Sequence, residues 1–279
     1  MWPLLRIELW KVFRKPRTYI SFLAIAAMVS LIQLGLHADG ESYIRFGMQS
    51  LTSAFDLNGK VLNGYLVCYM ILQTFLMQVP LLIALVAGDM IAGEAGAGTL
   101  RLLLTKPVSR GELLGAKFGA TFVYTVALLV WMALLALLGS ILIFGTGDLM
   151  IMRNREMDLF AAGDVPWRYL AAFGFAVVAM TTVASLAFLL SVFGENAIGP
   201  IVGTVSVVIV LTILSTMDIP FFDRLKPYLF TTHMIGWKGF FYRPVPWKDI
   251  LCSLGFLLGH IFAFLGLAWF VFTKKDILS

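Results

Sequence analysis

Charge is scarce in this sequence. Only 13% of its 279 residues are Asp, Glu, Lys or Arg, about half the share of a soluble domain. With 60% hydrophobic residues and a mean hydropathy of +0.90, too little polar surface remains to cover a water-soluble globule. The formal charge of +5 does not make a nucleic-acid reader, which needs a solvated basic face. Cysteine is scarce, and both Cys68 and Cys252 fall inside apolar runs. Neither a disulfide framework nor a zinc-type spacing can be drawn from them. Three histidines are too few for a His-rich metal centre. No G-x-x-x-x-G-K-[ST] occurs, and the glycine-rich stretch Gly93–Thr99 lacks the lysine that grips phosphates. H-E-x-x-H and G-x-S-x-G are missing too. The chain is therefore expected to hold no catalytic residue, metal or cofactor of its own.

What is there is apolar length. Six uncharged runs stand out: Thr18–Leu36, Val61–Gly88, Phe118–Gly147, Tyr169–Gly194, Asn196–Met217 and Ile250–Thr273. Each reaches the roughly 18–20 residues that cross about 30 Å of hydrocarbon as a helix. Lipid cannot satisfy an open backbone, so helices are expected. The alternation of a membrane β-barrel is absent. The fold class is all-α, one membrane domain over 1–279, with transmembrane helices at 18–36, 61–92, 113–144, 168–193, 197–217 and 249–273. Pro80 is a candidate kink in the second.

Lysine and arginine set the orientation. Eleven of 21 lie on the N-terminal side, a near tie, but five of those precede the first span, the flank that often dominates. A multi-pass protein of the inner (plasma) membrane with both termini cytoplasmic follows as the expectation. The first run is 19 residues and lacks a small-x-small cleavage site, so it reads as a retained helix. Before it, residues 1–17 read as an interfacial amphipathic helix. Trp2, Leu5, Leu9, Val12 and Phe13 share one face, with Glu8, Lys11, Arg14 and Lys15 on the other, toward headgroups.

The segment after the second run has a clear grammar. Gly93, Gly96 and Gly98 interrupt the helix. Thr99 can cap a short helix, Leu100–Lys106, that Pro107 terminates. Ser109 and Glu112 then form a capping box that opens the third long helix. Leu100, Leu102, Leu103 and Leu104 make the short piece too apolar for a solvated loop.

The pattern G-E-x-x-x-G-T-L-x-x-L-L-x-x-P-V-S-R-x-E-L-L-x-x-K, over Gly93–Lys117, resembles the permease subunits of type-2 ATP-binding-cassette exporters. Phe230–Met234 and Phe272–Ile277 also look like that family. The resemblance implies six helices after an N-terminal interfacial helix, with a separate cytoplasmic ATPase carrying ATP and Mg. It also implies a second permease, the same or related. Leu100–Lys106 would be the coupling helix, its Leu103 and Leu104 entering an ATPase groove and Arg101 and Lys106 meeting the rim. Glu94 would hold the inner end of span two, paired with Arg101 or Arg110, or would be a solvated helix-end carboxylate. Arg110 would meet headgroups or the partner. Glu195 and Asn196, in a tight turn, would form a second contact or a simple turn.

Polar groups inside the runs are few. Gln33, Gln73, Thr74, Met77 and Gln78 could line a pathway, while hydrogen bonding between helices is the commoner use of such residues. His260, the one titratable side chain well inside a run, reads first as a neutral group bonded to a neighbouring helix. Asp89 is placed at the interface. Met70 and Met77 on one helix face, and Met150, Met152 and Met157 in an outer loop, suit soft copper(I) but equally serve as core filler. The segments Asp148–Arg168 and Asp218–Asp249 read as an outer aromatic belt, with Phe221–Phe241 as short helices. The alternatives are a secondary transporter, which would show embedded charges or paired broken helices, and a membrane-embedded enzyme, for which no constellation is visible.

Overall fold

The computed structural model describes residues 2–47, 62–100, 107–153, 156–217 and 219–274. Helix dominates. Helix α1 (Trp2–Arg14) precedes α2 (Pro16–Gly47). The second crossing is divided into α3 (Gly64–Thr74) and α4 (Gln78–Ala87), followed by the short α5 (Ala92–Gly96). The third runs through α6 (Arg110–Ala133), a π-helical stretch at Leu134–Gly139, and α7 (Ser140–Phe144). Then come α8 (Val165–Phe193) and α9 (Ile198–Thr216), the short α10 (Pro220–Asp223) and α11 (Phe230–Met234), and α12 (Trp247–Lys274). Five described helices are long and apolar enough to cross a membrane, and six crossings result when the bent pair α3–α4 is taken as one. We call the side that carries α1 the near side and the opposite one the far side.

The second crossing is not one straight helix. α3 and α4 meet at 56°, and the break covers Phe75–Met77. Pro80 explains its position. A proline clashes with the carbonyl four residues back, here that of Leu76. Within the first turn of α4, by contrast, its missing N–H is not needed.

α8 is the axis of the bundle. Its apolar window is 78% buried, against 17–28% for the other candidate spans. Ala172, Ala179, Ala184 and Ala187 are buried on it, and small residues let backbones approach closely. Several polar side chains join helices. Gln33 donates to the carbonyl of Leu135 at 2.9 Å and to Ser140 Oγ at 3.0 Å, filling the π-helical stretch. Tyr124 donates to Leu82 O and Trp131 to Phe22 O. His260 differs from expectation, since its Nδ1 lies 2.9 Å from the carbonyl of Phe256 in its own helix. Its ring packs on Phe230 and Phe264.

The purely helical expectation needs one correction. Leu149–Arg153 (β1) and Glu156–Phe160 (β2) pair antiparallel on the far side. Leu149, Ile151 and Phe160 turn inward, the period of two that favours a half-buried strand. Met152 faces Met157 in this register and Met150 faces Leu159, which places these methionines in a hairpin. Phe221–Phe241 forms α10, α11 and two 3-10 turns.

This arrangement fixes which loops share a side. Thr99, Glu195 and Ala161 are exposed, Cys68 is fully buried, and Cys252 is exposed. In a Cys252→Ser background, cysteines at 99 and 195 should react with an impermeant reagent from one and the same side of the membrane, and one at 161 only from the other. Labelling of position 99 and position 161 from the same side of intact cells would refute the six-crossing path.

Candidate functional site

The near side holds a closed ring of four charges. Glu8 and Lys11 come from α1, Glu94 from α5 and Lys117 from the second turn of α6. Lys11 Nζ lies 2.8 Å from Glu8 Oε1 and 2.9 Å from Glu94 Oε1. Lys117 Nζ lies 3.0 Å from Glu8 Oε2 and 2.6 Å from Glu94 Oε2. Each carboxylate thus bridges both ammonium groups, and the ring is neutral. Lys117 is 0% exposed and Glu8 is 3% exposed, whereas the Lys11 side chain is 29% exposed, so the ring is buried at Lys117 and Glu8 and opens toward solvent at Lys11.

A second acid sits beside it. Asp89, expected at an interface, is buried and takes Lys15 at 2.7 Å and Arg17 at 2.5 Å. A Cβ at Gly93 would lie 2.2 Å from Asp89 Oδ1, so this glycine makes room for a carboxylate as well as interrupting a helix. Ser191 of α8 accepts from the N–H groups of Ile91 and Ala92 and donates to Gly88 O. These bonds satisfy backbone groups that the turn after α4 leaves open.

The sequence assignments fare unevenly. Glu94 is paired with Lys11 and Lys117 rather than with Arg101 or Arg110. Arg110 donates to the carbonyls of Phe272 and Thr273, capping the last turn of α12 where helix carbonyls lack partners. Glu112 and Ser109 form the capping box in both directions. Thr99 is exposed and its hydroxyl reaches Glu94 O. Leu100 is 4% exposed and belongs to this chain's own core, so in this conformation it is closed to a partner groove. Arg101, Leu103, Leu104 and Lys106 lie outside the described residues. Pro107 is exposed where the chain re-emerges. Glu195 is exposed, and Asn196 accepts from the N–H groups of Ile198 and Gly199. A Cβ at Gly96 would lie 2.9 Å from Glu195 O, so the two near-side turns touch.

The candidate pathway set divides. Gln33 is a buried helix-to-helix bond and lines nothing open. Gln73, Thr74 and Met77 are exposed at the break in the second crossing. Gln78 Oε1 is buried without a hydrogen-bond partner.

Lys117 and Glu8 are what sequence reasoning missed. The apolar face of α1 turns inward through Val12, with Leu5, Leu9 and Phe13 packed on the core, but Glu8 points inward with it, while Trp2, Arg6, Ile7, Trp10 and Arg14 are exposed, with Arg14 4.6 Å over the Trp10 ring. The one available signal was a lysine flanked by Ala116 and Ala120 inside an otherwise apolar helix face.

Two members of the ring, Glu94 and Lys11, are held in their charged forms. Burial of Glu94 disfavours its charge, but Lys117 and Lys11 outweigh that and hold its carboxyl below the usual range. Burial likewise opposes the charge on Lys11, and its bonds to Glu8 and Glu94 prevail, raising its pKa. A lowered carboxylate pKa contributes stability that is complete above the unfolded value and is lost as pH falls through the folded one. A raised lysine pKa contributes stability that is complete below the unfolded value and is lost as pH rises through the folded one.

Comparisons with known proteins add the following. Residues 20–278 match the family described as "Protein of unknown function (DUF2705)". The chain is 44% identical over 75 residues to "Probable ABC transporter permease protein NosY" of Stutzerimonas stutzeri, covering 26% of each chain. It is 57% identical over 47 residues to the protein of the same name in Pseudomonas aeruginosa, covering 17% of this chain and 16% of that one. It is 25% identical over 206 residues to "Uncharacterized protein YhcI" of Bacillus subtilis, covering 69% of this chain and 63% of that one. In each case the match spans less than two thirds of the relative's length. The short matches to NosY point to a transporter permease.

Removing Lys117 would leave two buried carboxylates with one cation between them, a loss of about 3–5 kcal/mol. Lys117→Met should therefore lower the melting midpoint in detergent sharply, and adding Glu94→Gln should recover part of it. The acid limb should appear below about pH 4 in the wild type and weaken in Glu94→Gln. A midpoint unchanged by Lys117→Met would show that the ring does not bear on stability.

Proposed function

The chain belongs to the family described as "Protein of unknown function (DUF2705)", and we propose that it is the permease subunit of a type-2 ATP-binding-cassette exporter. One observation carries the reading. The charge ring fastens α1, α5 and α6, and segment 101–106 is strung between α5 and α6. A push on that segment therefore reaches three elements at once. The local matches to NosY support the same class.

ATP hydrolysis belongs to a separate cytoplasmic ATPase, with ATP and Mg there. The near side faces the cytoplasm. Leu103 and Leu104 enter the ATPase groove, Arg101 and Lys106 meet its rim, and the exposed Glu195 turn gives a second contact. Helix α1 lies along the inner surface with Trp2, Trp10 and Arg14 outward, as aromatic and basic residues do at headgroup level. A second permease completes the path. The fifth crossing is 17% buried, and Ile198, Val202, Ile209 and Ile213 leave one of its faces open. Transport then follows from contacts that differ between the two ATPase states.

The test is affinity purification of the chain in mild detergent with its neighbours present. A soluble ATPase should co-purify in equal number with the permease. Leu103→Asp puts an unpaired charge into the groove, at a cost on the order of several kcal/mol, so the ATPase should be lost while the permease remains inserted. Arg101→Ala should do less, since rim charges act more on association rate. Normal co-purification and transport by Leu103→Asp would remove this segment from the coupling role. Purification without any ATPase would favour a secondary transporter.

A further inference from the structure

One lysine stands where a membrane gives it little help. Lys238 lies on the 3-10 segment Ile235–Phe241, whose Trp237, Gly239, Phe240 and Phe241 are buried, so its backbone is fixed. Its Nζ reaches Gln73 Oε1 at 3.2 Å and the Trp237 ring at 5.9 Å. Gln73 is about 13 Å along α3 from its first residue, at 1.5 Å per residue. The ammonium is thus drawn to the level of the break in the second crossing.

Its charge is not balanced. Among the described residues no carboxylate pairs with Lys238. Asp223 is taken by Lys226, and Asp164 by Arg168 and Arg243. Residues 220–246 carry four Lys or Arg against one Asp, so the local field is positive. A neutral amide is a weak neutraliser, and ionisable groups at membrane depth face an interior or a wet cavity rather than lipid. Further polar atoms lie on the elements flanking this pair. Gln78 Oε1 at the break, and Thr231 and Thr232 Oγ1 on α11, are buried without hydrogen-bond partners. Apolar surface adjoins them. Leu72 and Trp237, the chain neighbours of Gln73 and Lys238, line a cavity of about 40 Å³ with Phe75, Val79 and Met234.

We propose that Lys238 and Gln73 form a cargo station for an anionic group carried on an apolar body, such as a fatty carboxylate or a lipid phosphate. The proposal rests on the permease reading and adds the chemical class of what is moved. The ammonium supplies the charge, the Gln73 amide holds it in place, and the cavity wall receives the start of the apolar part.

The experiment uses the full chain in nanodiscs of neutral phosphatidylcholine. The readout is the thermal unfolding midpoint, which a ligand of the folded state raises. Decanoate should raise it saturably, and decanol of equal length should not. Lys238→Gln should weaken decanoate at least about tenfold, Lys238→Arg should retain it, and Gln73→Leu should weaken it less. The unliganded midpoints of the three variants should stay near wild type, which shows that they fold. Equal decanoate stabilisation of Lys238→Gln would overturn the station. Equal stabilisation by inorganic phosphate and decanoate would overturn the apolar-body assignment. Lys238-dependent binding without ATP-driven transport would count against the permease reading and leave the station standing.

Discussion

Four alternating charges, two of them deeply buried, constrain the near side of this protein. Glu8, Lys11, Glu94 and Lys117 are each held by two opposite neighbours, so desolvation is offset only while the ring is complete. A buried ion pair is weak evidence of stability, since apolar residues of similar volume often do as well. What such a ring does enforce is register, because any sliding of α1 along α6 would strand a charge. α1 is thereby a fixed part of the bundle. The acid–base group of Asp89 with Lys15 and Arg17 repeats the arrangement at the start of α2.

The rest of the bundle is organised around α8, whose small buried residues admit close neighbours, and around the broken second crossing. The break is a local consequence of Pro80 acting on the carbonyl of Leu76. Its effects are not local. It exposes Gln73, Thr74 and Met77 at a depth where the other crossings present mostly apolar residues. The near-side ring and the break in the second crossing both depart from apolar helix packing, and the same crossing leads from one to the other.

Much of the fold was legible because it is local. Apolar run length predicts the crossings, and the described helices Val165–Phe193, Ile198–Thr216 and Trp247–Lys274 lie close to the expected ranges. The Ser109–Glu112 cap is a four-residue signal and was readable as such. The hairpin was passed over because its alternation spans only five residues per strand. The site was less legible because its contacts are not local. Glu94 meets partners 83 and 23 positions away, and nothing in a linear pattern ranks Lys11 and Lys117 above Arg101 or Arg110. For α1 the error was a physical assumption. Charged residues were assigned to headgroups, whereas Glu8 and Lys11 had partners inside.

Gly96 carries one more implication. Its missing side chain lets the end of α5 rest on the carbonyl of Glu195, so the stem of the first near-side loop and the turn between α8 and α9 share a footing. Ser191 clasps the backbone just upstream at Gly88, Ile91 and Ala92, so the footing is riveted at two levels. The central helix of the bundle is consequently joined to the stem of that loop at two points, one through the Ser191 hydroxyl and one through close backbone approach at Gly96.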